Sequence, residues 1–380
     1  MKKAIAPGKL ILSGEHAVVY GQPALAMAIN RYAEAWVSEQ QGHLISFDLL
    51  NLKYHKAMTM KALHKLKHRV QEGYNAFLQG EAKIRDVLKL PAELSKYAFT
   101  HLLEKVNHQL ADGVKLSTHS TIPVGCGMGS SAAMILCVMH AVALQQGLSL
   151  SFETYLEHAK DAENIQHGRS SGLDLQVSLR GGCLRFQEGV STKRPLPNIE
   201  LFMVNTGKPE NTTGECVSVV AKTLDHPALL ADFAAVTQAM DEAIEKQELN
   251  AIQHCIRTNH QLLTHIGVVP SKVQQFISAI EAVGGAAKIC GAGAISGDQA
   301  GIVLIAAELA PKDIVQQFNY TLETVQGELQ GLHSIVGAGP RACPTGPEGN
   351  HGGIAPTKTS HSLAVVGVSP RAYLSDSLND

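Results

Sequence analysis

Residues 122–134 read IPVGCGMGSSAAM. Gly125, Gly127 and Gly129 alternate, two hydroxyls follow at Ser130 and Ser131, and a run of helix formers leads on to Gly147, which is placed to end a helix. Glycines let a backbone bend tightly and approach another molecule closely. A loop of this kind at a helix start brings free N–H groups and the positive end of the helix dipole to one point. That makes an anion site, with phosphate the usual anion. The hydroxyls add ligands for a phosphate or for its Mg2+. The pattern GxxxxGK[ST] is absent, so this is not a Walker A loop. GxGxG followed by Ser-Ser also fails the GxGxxG dinucleotide fingerprint, and no acidic residue sits about 20 positions on.

Four other segments carry side chains suited to phosphate chemistry. In APGKLILSGEHAVVYG (6–21), Lys9 follows a Pro-Gly turn, and Glu15 and His16 follow a Ser-Gly turn. A lysine there can bind phosphate as a point charge or depress the pKa of a neighbour. In DAENIQHGRSSGLDLQVSLRGG (161–182), Glu163 falls on a helix and Asp174 follows a glycine turn. Phosphoryl transfer uses one carboxylate for Mg2+ and another to take or orient a proton. The stretch VNTGKPENTT (204–213) is a dense polar loop after a strand, and KICGAGAISGDQAG (288–301) is a second glycine loop. His64 and His68 have helical spacing but no Glu as in HExxH, so they read as surface histidines.

These groups need two ordinary domains to position them, and 380 residues supply that length. An apolar fraction of 45% against 17% charged residues suits a globular core. A formal net charge of -2 argues against general affinity for nucleic acid or anionic membranes. Seven Cys without a CxxC pair suggest neither a zinc ribbon nor a disulfide framework, and fit a reducing cytoplasm. The N-terminal apolar run is broken by Pro7, Gly8 and Lys9, unlike a signal peptide, and no stretch is long enough for a membrane span.

Along the chain, 9–13 and 24–37 read as strands, 53–69 as a basic helix, 92–112 as a helix and 114–121 as a strand. The glycine loop and its helix follow, then a second helix capped by Ser151 and closed by Gly168. Residues 183–187 and 199–204 read as strands, and 226–284 as about three helical segments broken near Asn250 and at Pro270. A strand after the second glycine loop, a helix over 311–330 and a strand over 332–336 complete the pattern. Residues 337–362 read as disordered by composition, and 363–368 as a strand or a sticky segment.

In this order, APGKLILSGEHAVVYG, PVGCGMGSSAA and KICGAGAISGDQAG resemble the three motifs of the GHMP superfamily of small-molecule kinases, over residues 4 to about 336. GEHAVVYG and ENIQHGRSSGLD are most similar to the mevalonate kinases within it. The resemblance implies an α+β fold of two domains. Residues 1–190 would form an N-terminal domain like the second domain of ribosomal protein S5, residues 191–336 a ferredoxin-like C-terminal domain, and 337–380 a disordered tail.

It also implies ATP and Mg2+ as cofactors, phosphorylation of (R)-mevalonate to 5-phosphomevalonate, and a cytoplasmic homodimer. Asp174 and Lys9 would be catalytic. Gly125, Gly127, Gly129, Ser130, Ser131, Gly291 and Gly293 would hold the triphosphate, and Ser131 with Glu163 the metal. Glu15, His16, Thr206 and Thr212 or Thr213 would face the substrate. The sequence departs from the usual motifs at Arg169 and Ser170 (where Asn and Pro are common), at Met128, and along GAGAISGDQAG. The alternatives are another GHMP kinase acting on phosphomevalonate, homoserine or a sugar, an ATP-dependent decarboxylase of the mevalonate pathway, and a non-catalytic relative.

Overall fold

The structure is a computed structural model that describes residues 2–336 and the backbone of 365–367. The first half contains β1 (Lys2–Ser13), β2 (Ala24–Gln40), β3 (Leu44–Leu49), β4 (Tyr54–Thr59), α1 (Met60–Leu78), α2 (Ala92–Lys105) and β5 (Gly113–Ser120). Then come α3 (Ser130–Gln145), α4 (Phe152–His167), α5 (Leu173–Arg180), β6 (Cys183–Gln187) and β7 (Val190–Arg194). The second half has β8 (Leu201–Asn205), α6 (Thr213–Leu224), α7 (Pro227–Lys246), α8 (Leu249–His265), α9 (Ser271–Ala282), β9 (Ala286–Ile289), β10 (Ile302–Ala306), α10 (Lys312–Gln317), β11 (Leu322–Val325), β12 (His333–Val336) and β13 (Val365–Gly367).

Two sheets organise the mixed α and β elements. The larger has the order β13-β12-β1-β2-β5-β3-β4, with β6 and β7 branching from the first half of β2. The smaller has the order β11-β8-β10-β9 and is antiparallel throughout. Counted from β8, that is the 4-1-3-2 order of a ferredoxin-like sheet, with α6–α9 and α10 as its crossovers. Most of α3 is buried, because its sequence is apolar on nearly every face and it packs between the large sheet and α2, α4 and α5. One continuous apolar cluster joins Leu10 and Met27 of the large sheet to Met203 and Leu304 of the small one, through Met240 and Ile244 of α7. The expected division at 190/191 falls where β7 begins. By pairing, both β7 and the late strand β12 belong to the large sheet.

Three helical expectations give way to tertiary structure. Residues 54–59 are a strand paired with β3, and the helix starts only at Met60, where Thr59 caps it through the Ala62 N–H at 3.2 Å. The helix expected over 311–330 stops at Gln317. Asn319 has φ 55°, and 322–325 become an edge strand on β8. Residues 92–112 are helical only to Lys105. Two helices also arise within segments read as loops and turns. Thr212 and Glu215 form a reciprocal capping box that starts α6, and α5 begins directly before Asp174. Of the region expected to be disordered, 337–362 lies outside the described residues. Within 363–368, residues 365–367 pair with β12 as a strand.

Candidate active site

The site is assembled where β1 passes under the start of α3. The β1–β2 register shifts between Pro7 and Gly8, which frees the next backbone N–H from the ladder. That N–H, of Lys9, donates to the Met128 carbonyl at 2.9 Å. The Lys9 side chain is buried. Its ammonium donates to the Gly127 carbonyl at 2.9 Å and lies 3.2 Å from Oδ1 of Asp174. Asp174 itself sits in the first turn of α5 and is partly exposed. Gly129 has φ 70°, and a Cβ there would come within 3.0 Å of Cγ of Lys9 and 3.6 Å of Oδ2 of Asp174. Only a glycine lets the loop lie on this ion pair. The three elements expected to carry catalysis therefore meet at one point.

The two glycine loops touch each other. A Cβ on Gly127 would lie 2.3 Å from the Cys290 carbonyl oxygen, and one on Gly291 would lie 2.9 Å from Cα of Gly127. The second loop therefore supports the first from the other sheet. Gly293 packs differently, its Cβ direction blocked by the Val268 carbonyl. Ser130 and Ser131 open α3, as expected for an anion-binding helix start.

Ser131 is hydrogen-bonded to Nε2 of His167 at 2.9 Å. His167 lies one turn beyond Glu163 on α4, so the Ser131 hydroxyl and the Glu163 carboxylate share a face. Burial holds the His167 imidazole below its usual pKa, with the Asp174 charge opposing. Glu163 is buried, and burial raises its carboxyl above the usual range. The Asp174 charge adds to that rise, while a hydrogen bond from the Ser170 hydroxyl and the charge of Lys9 counter it. Ser170 donates to Glu163 at 2.5 Å, and its N–H donates to Asn164 at 2.8 Å. Serine in place of the usual proline thus supplies two donors. Arg169 is exposed and close enough for its charge to act on Tyr74 of α1.

The side chains expected at the substrate fall into another pattern. Glu15 is paired with Lys288, both fully buried, and Lys288 also donates to the Ile11 carbonyl at 3.0 Å. His16, with φ 60°, reaches the Ala292 carbonyl through Nε2 at 3.1 Å. Burial pushes its pKa down to about 4. Thr206 donates to the Gly301 carbonyl at 2.8 Å and accepts from Ala300 N–H at 3.0 Å. The Thr212 hydroxyl is committed to capping α6, and Thr213 lies inside that helix. Asn211 accepts from the N–H groups of Ile295 and Ser296 at 3.1 and 3.0 Å. The polar loop 205–213 and the segment 12–16 therefore clamp the second glycine loop in place.

Lys208 is the exception in that loop. It is exposed, and its Cε lies 3.4 Å from where a Cβ on Gly125 would be. A cation is thereby laid over the glycine loop. A lysine in a polar loop after a strand was visible in the sequence, but the fold decided which loop it covers. His167 had a signal in its helical spacing from Glu163. His64 and His68 are surface residues beside Glu104 and Glu72, as expected.

Residues 93–182 match the GHMP kinases N terminal domain. The chain is 30% identical over 303 residues to the mevalonate kinase of Thermococcus onnurineus, covering 76% of this chain and 86% of that protein. It is 31% identical over 307 residues to the mevalonate kinase of Pyrococcus furiosus, with the same 76% and 86% coverage. Among solved structures, the Methanococcus jannaschii mevalonate kinase has the same fold. Its TM-score is 0.71 at 23% identity, over 86% of this chain and 98% of that one. The ion pair at the helix start, the two opposed glycine loops and these relatives agree: the chain belongs to the mevalonate kinases of the GHMP kinase superfamily.

Proposed function

We infer that the protein transfers the γ-phosphoryl group of ATP to the primary hydroxyl of (R)-mevalonate, giving ADP and 5-phosphomevalonate. The observation that carries this reading is the Lys9–Asp174 pair, 3.2 Å apart beneath the start of α3. A carboxylate held beside an ammonium at this point can accept or orient the proton of an attacking hydroxyl. Lys9, fixed by the Gly127 carbonyl, also places positive charge where the transferred group becomes more negative. The backbone N–H groups of the Gly125–Gly129 loop and the first turn of α3 hold the triphosphate, and Lys208 lies over it. The L. major mevalonate kinase, TM-score 0.61 and 21% identical over 86% of this chain and 96% of that one, has been solved in complex with R-mevalonate.

The donors fit Mg2+. Glu163 offers a buried carboxylate that otherwise meets a hydroxyl donor, and Ser131 adds a neutral oxygen on the same face. Hard oxygen ligands of this kind suit magnesium. When bound, the ion neutralises charge on the phosphate oxygens.

The test is coupled ADP release with Mg-ATP and (R)-mevalonate, run beside phosphomevalonate, homoserine and galactose. Turnover with mevalonate alone is expected. Turnover only with another acceptor would keep the transfer chemistry and discard the substrate. Release of CO2 with phosphate would move the protein to the decarboxylases.

A further inference from the structure

Away from the phosphate loop, α2 and α4 face each other through His101, His158 and Asp161, whose ligand atoms all lie within 4.8 Å of one another. His158 and Asp161 are three residues apart on α4, so they project from one face, and His101 meets them from α2. Nε2 of His101 is 3.1 Å from Oδ2 of Asp161. The two imidazoles meet edge to face, with centroids 5.9 Å apart, and His101 is backed by the stacked ring of Tyr97 at 5.3 Å. Both imidazoles are more than nine-tenths buried. Yet among the described residues Nδ1 of His101 and Nδ1 of His158 have no hydrogen-bond partner, and Nε2 of His101 meets only the Asp161 carboxylate. Unpaired polar atoms of this kind are costly unless something else meets them. Asp161, by contrast, is 43% exposed and opens the cluster to solvent.

We propose that His101, His158 and Asp161 form a binding site for a divalent transition metal of the zinc class, joining α2 to α4. Two imidazoles and one carboxylate are the donor set that zinc takes with an open fourth position, and magnesium does not select for imidazole. The carboxylate edge gives the ion a path from solvent. Lys105, whose ammonium is 3.7 Å from Asp161 and 44% exposed, holds the carboxylate loosely and can swing into water when the ion enters. The site is separate from the phosphate loop. Asp161 and Glu163 are two residues apart on α4, so they face opposite sides, one toward solvent and one buried. An ion here would fasten the helix that carries Glu163 and His167 without touching the reacting groups.

The experiment uses the full chain, stripped with a chelator, and ZnCl2 alone as the probe, without nucleotide. Calorimetric titration is expected to show one tight site per chain in the wild type. It should weaken about 100-fold or more in His158→Gln and in Asp161→Asn, since even partners outside the ligand set cost roughly 10- to 100-fold. Co2+ in place of Zn2+ should give a visible absorption band that both variants lose. Turnover with Mg-ATP in the stripped protein should be the same in all three, which also shows that the variants fold. No binding by the wild type overturns the proposal. So does an isotherm unchanged in both variants.

Discussion

Lys9 is held from two sides, by the Gly127 carbonyl and by Asp174, so its charge has a single position. Asp174→Asn keeps the shape and removes the acceptor. It is expected to lower kcat by roughly 10²- to 10⁴-fold, the usual scale of general-base catalysis. Tm and nucleotide binding by calorimetry should stay near wild type, and near-normal turnover would sink the assignment. Lys208 makes a different test. It is exposed, so Lys208→Ala should leave Tm unchanged, and kcat/KM for ATP should fall about 10- to 100-fold if its ammonium donates to a phosphate. An unchanged value would return Lys208 to the solvated surface. At this scale the meeting of Lys9, Asp174 and the Gly125–Gly129 loop was legible in the sequence, because these residues stand in short motifs whose residue types have few other uses together. The partners of Thr206, Thr212, Glu15 and His16 were not, because a hydroxyl, carboxylate or imidazole looks the same in sequence whichever group it meets.

Between elements, buried ion pairs join strands to strands and strands to helices. Lys288 of β9 pairs with Glu15 beyond the end of β1, deep between the two sheets, where burial raises the Glu15 pKa and the Lys288 charge offsets part of that rise. Lys288→Met leaves that carboxylate uncompensated and is expected to cost about 3 to 5 kcal/mol. The double change Glu15→Gln with Lys288→Met should recover much of the loss in urea unfolding. An additive double mutant would show that the two groups do not interact.

Asp241 of α7, itself buried, accepts from both Nε and Nη2 of Arg194 from β7, at 2.6 and 2.9 Å, with Arg185 3.4 Å away. Asp241→Ala strands two arginines and should lower Tm by several degrees while leaving KM for both substrates unchanged. Element identity was readable where periodicity ran long, as in α3, α4 and α7 to α9. It failed at 54–59 and 322–325, where short segments become edge strands only because a neighbouring strand offers hydrogen bonds.

For the whole molecule, acid stability follows from buried imidazoles. Burial holds His16, His140 and His260 at pKa values of about 4. A histidine with a lowered native pKa is neutral when folded and takes up a proton on unfolding. Its contribution is therefore complete above the ordinary value near 6.5, and is lost as pH falls from there toward 4. The raised carboxyls of Glu15 and Glu163 act in the opposite sense, losing stability as pH rises through their native pKa. Removing one histidine isolates its share. In His260→Gln the dependence of unfolding free energy on pH between about 4 and 6.5 should flatten by about 1.4 kcal/mol per pH unit. An unaltered slope would mean that His260 is already protonated in the folded state.

The sequence by itself determined the family and the kind of chemistry. Local patterns suffice there: a glycine loop, a helix start and paired carboxylates have their physical meaning within a dozen residues. Only the tertiary structure decided which of those groups meet one another and which bond to backbone and brace the loops. It placed Gly291 against Gly127, laid Lys208 beside Gly125, turned Thr206 and Asn211 toward backbone, and returned β12 to the first sheet. The same long-range packing gathered His101, His158 and Asp161 from two helices. Such outcomes depend on contacts between residues far apart in the chain, whose partners no local spacing encodes.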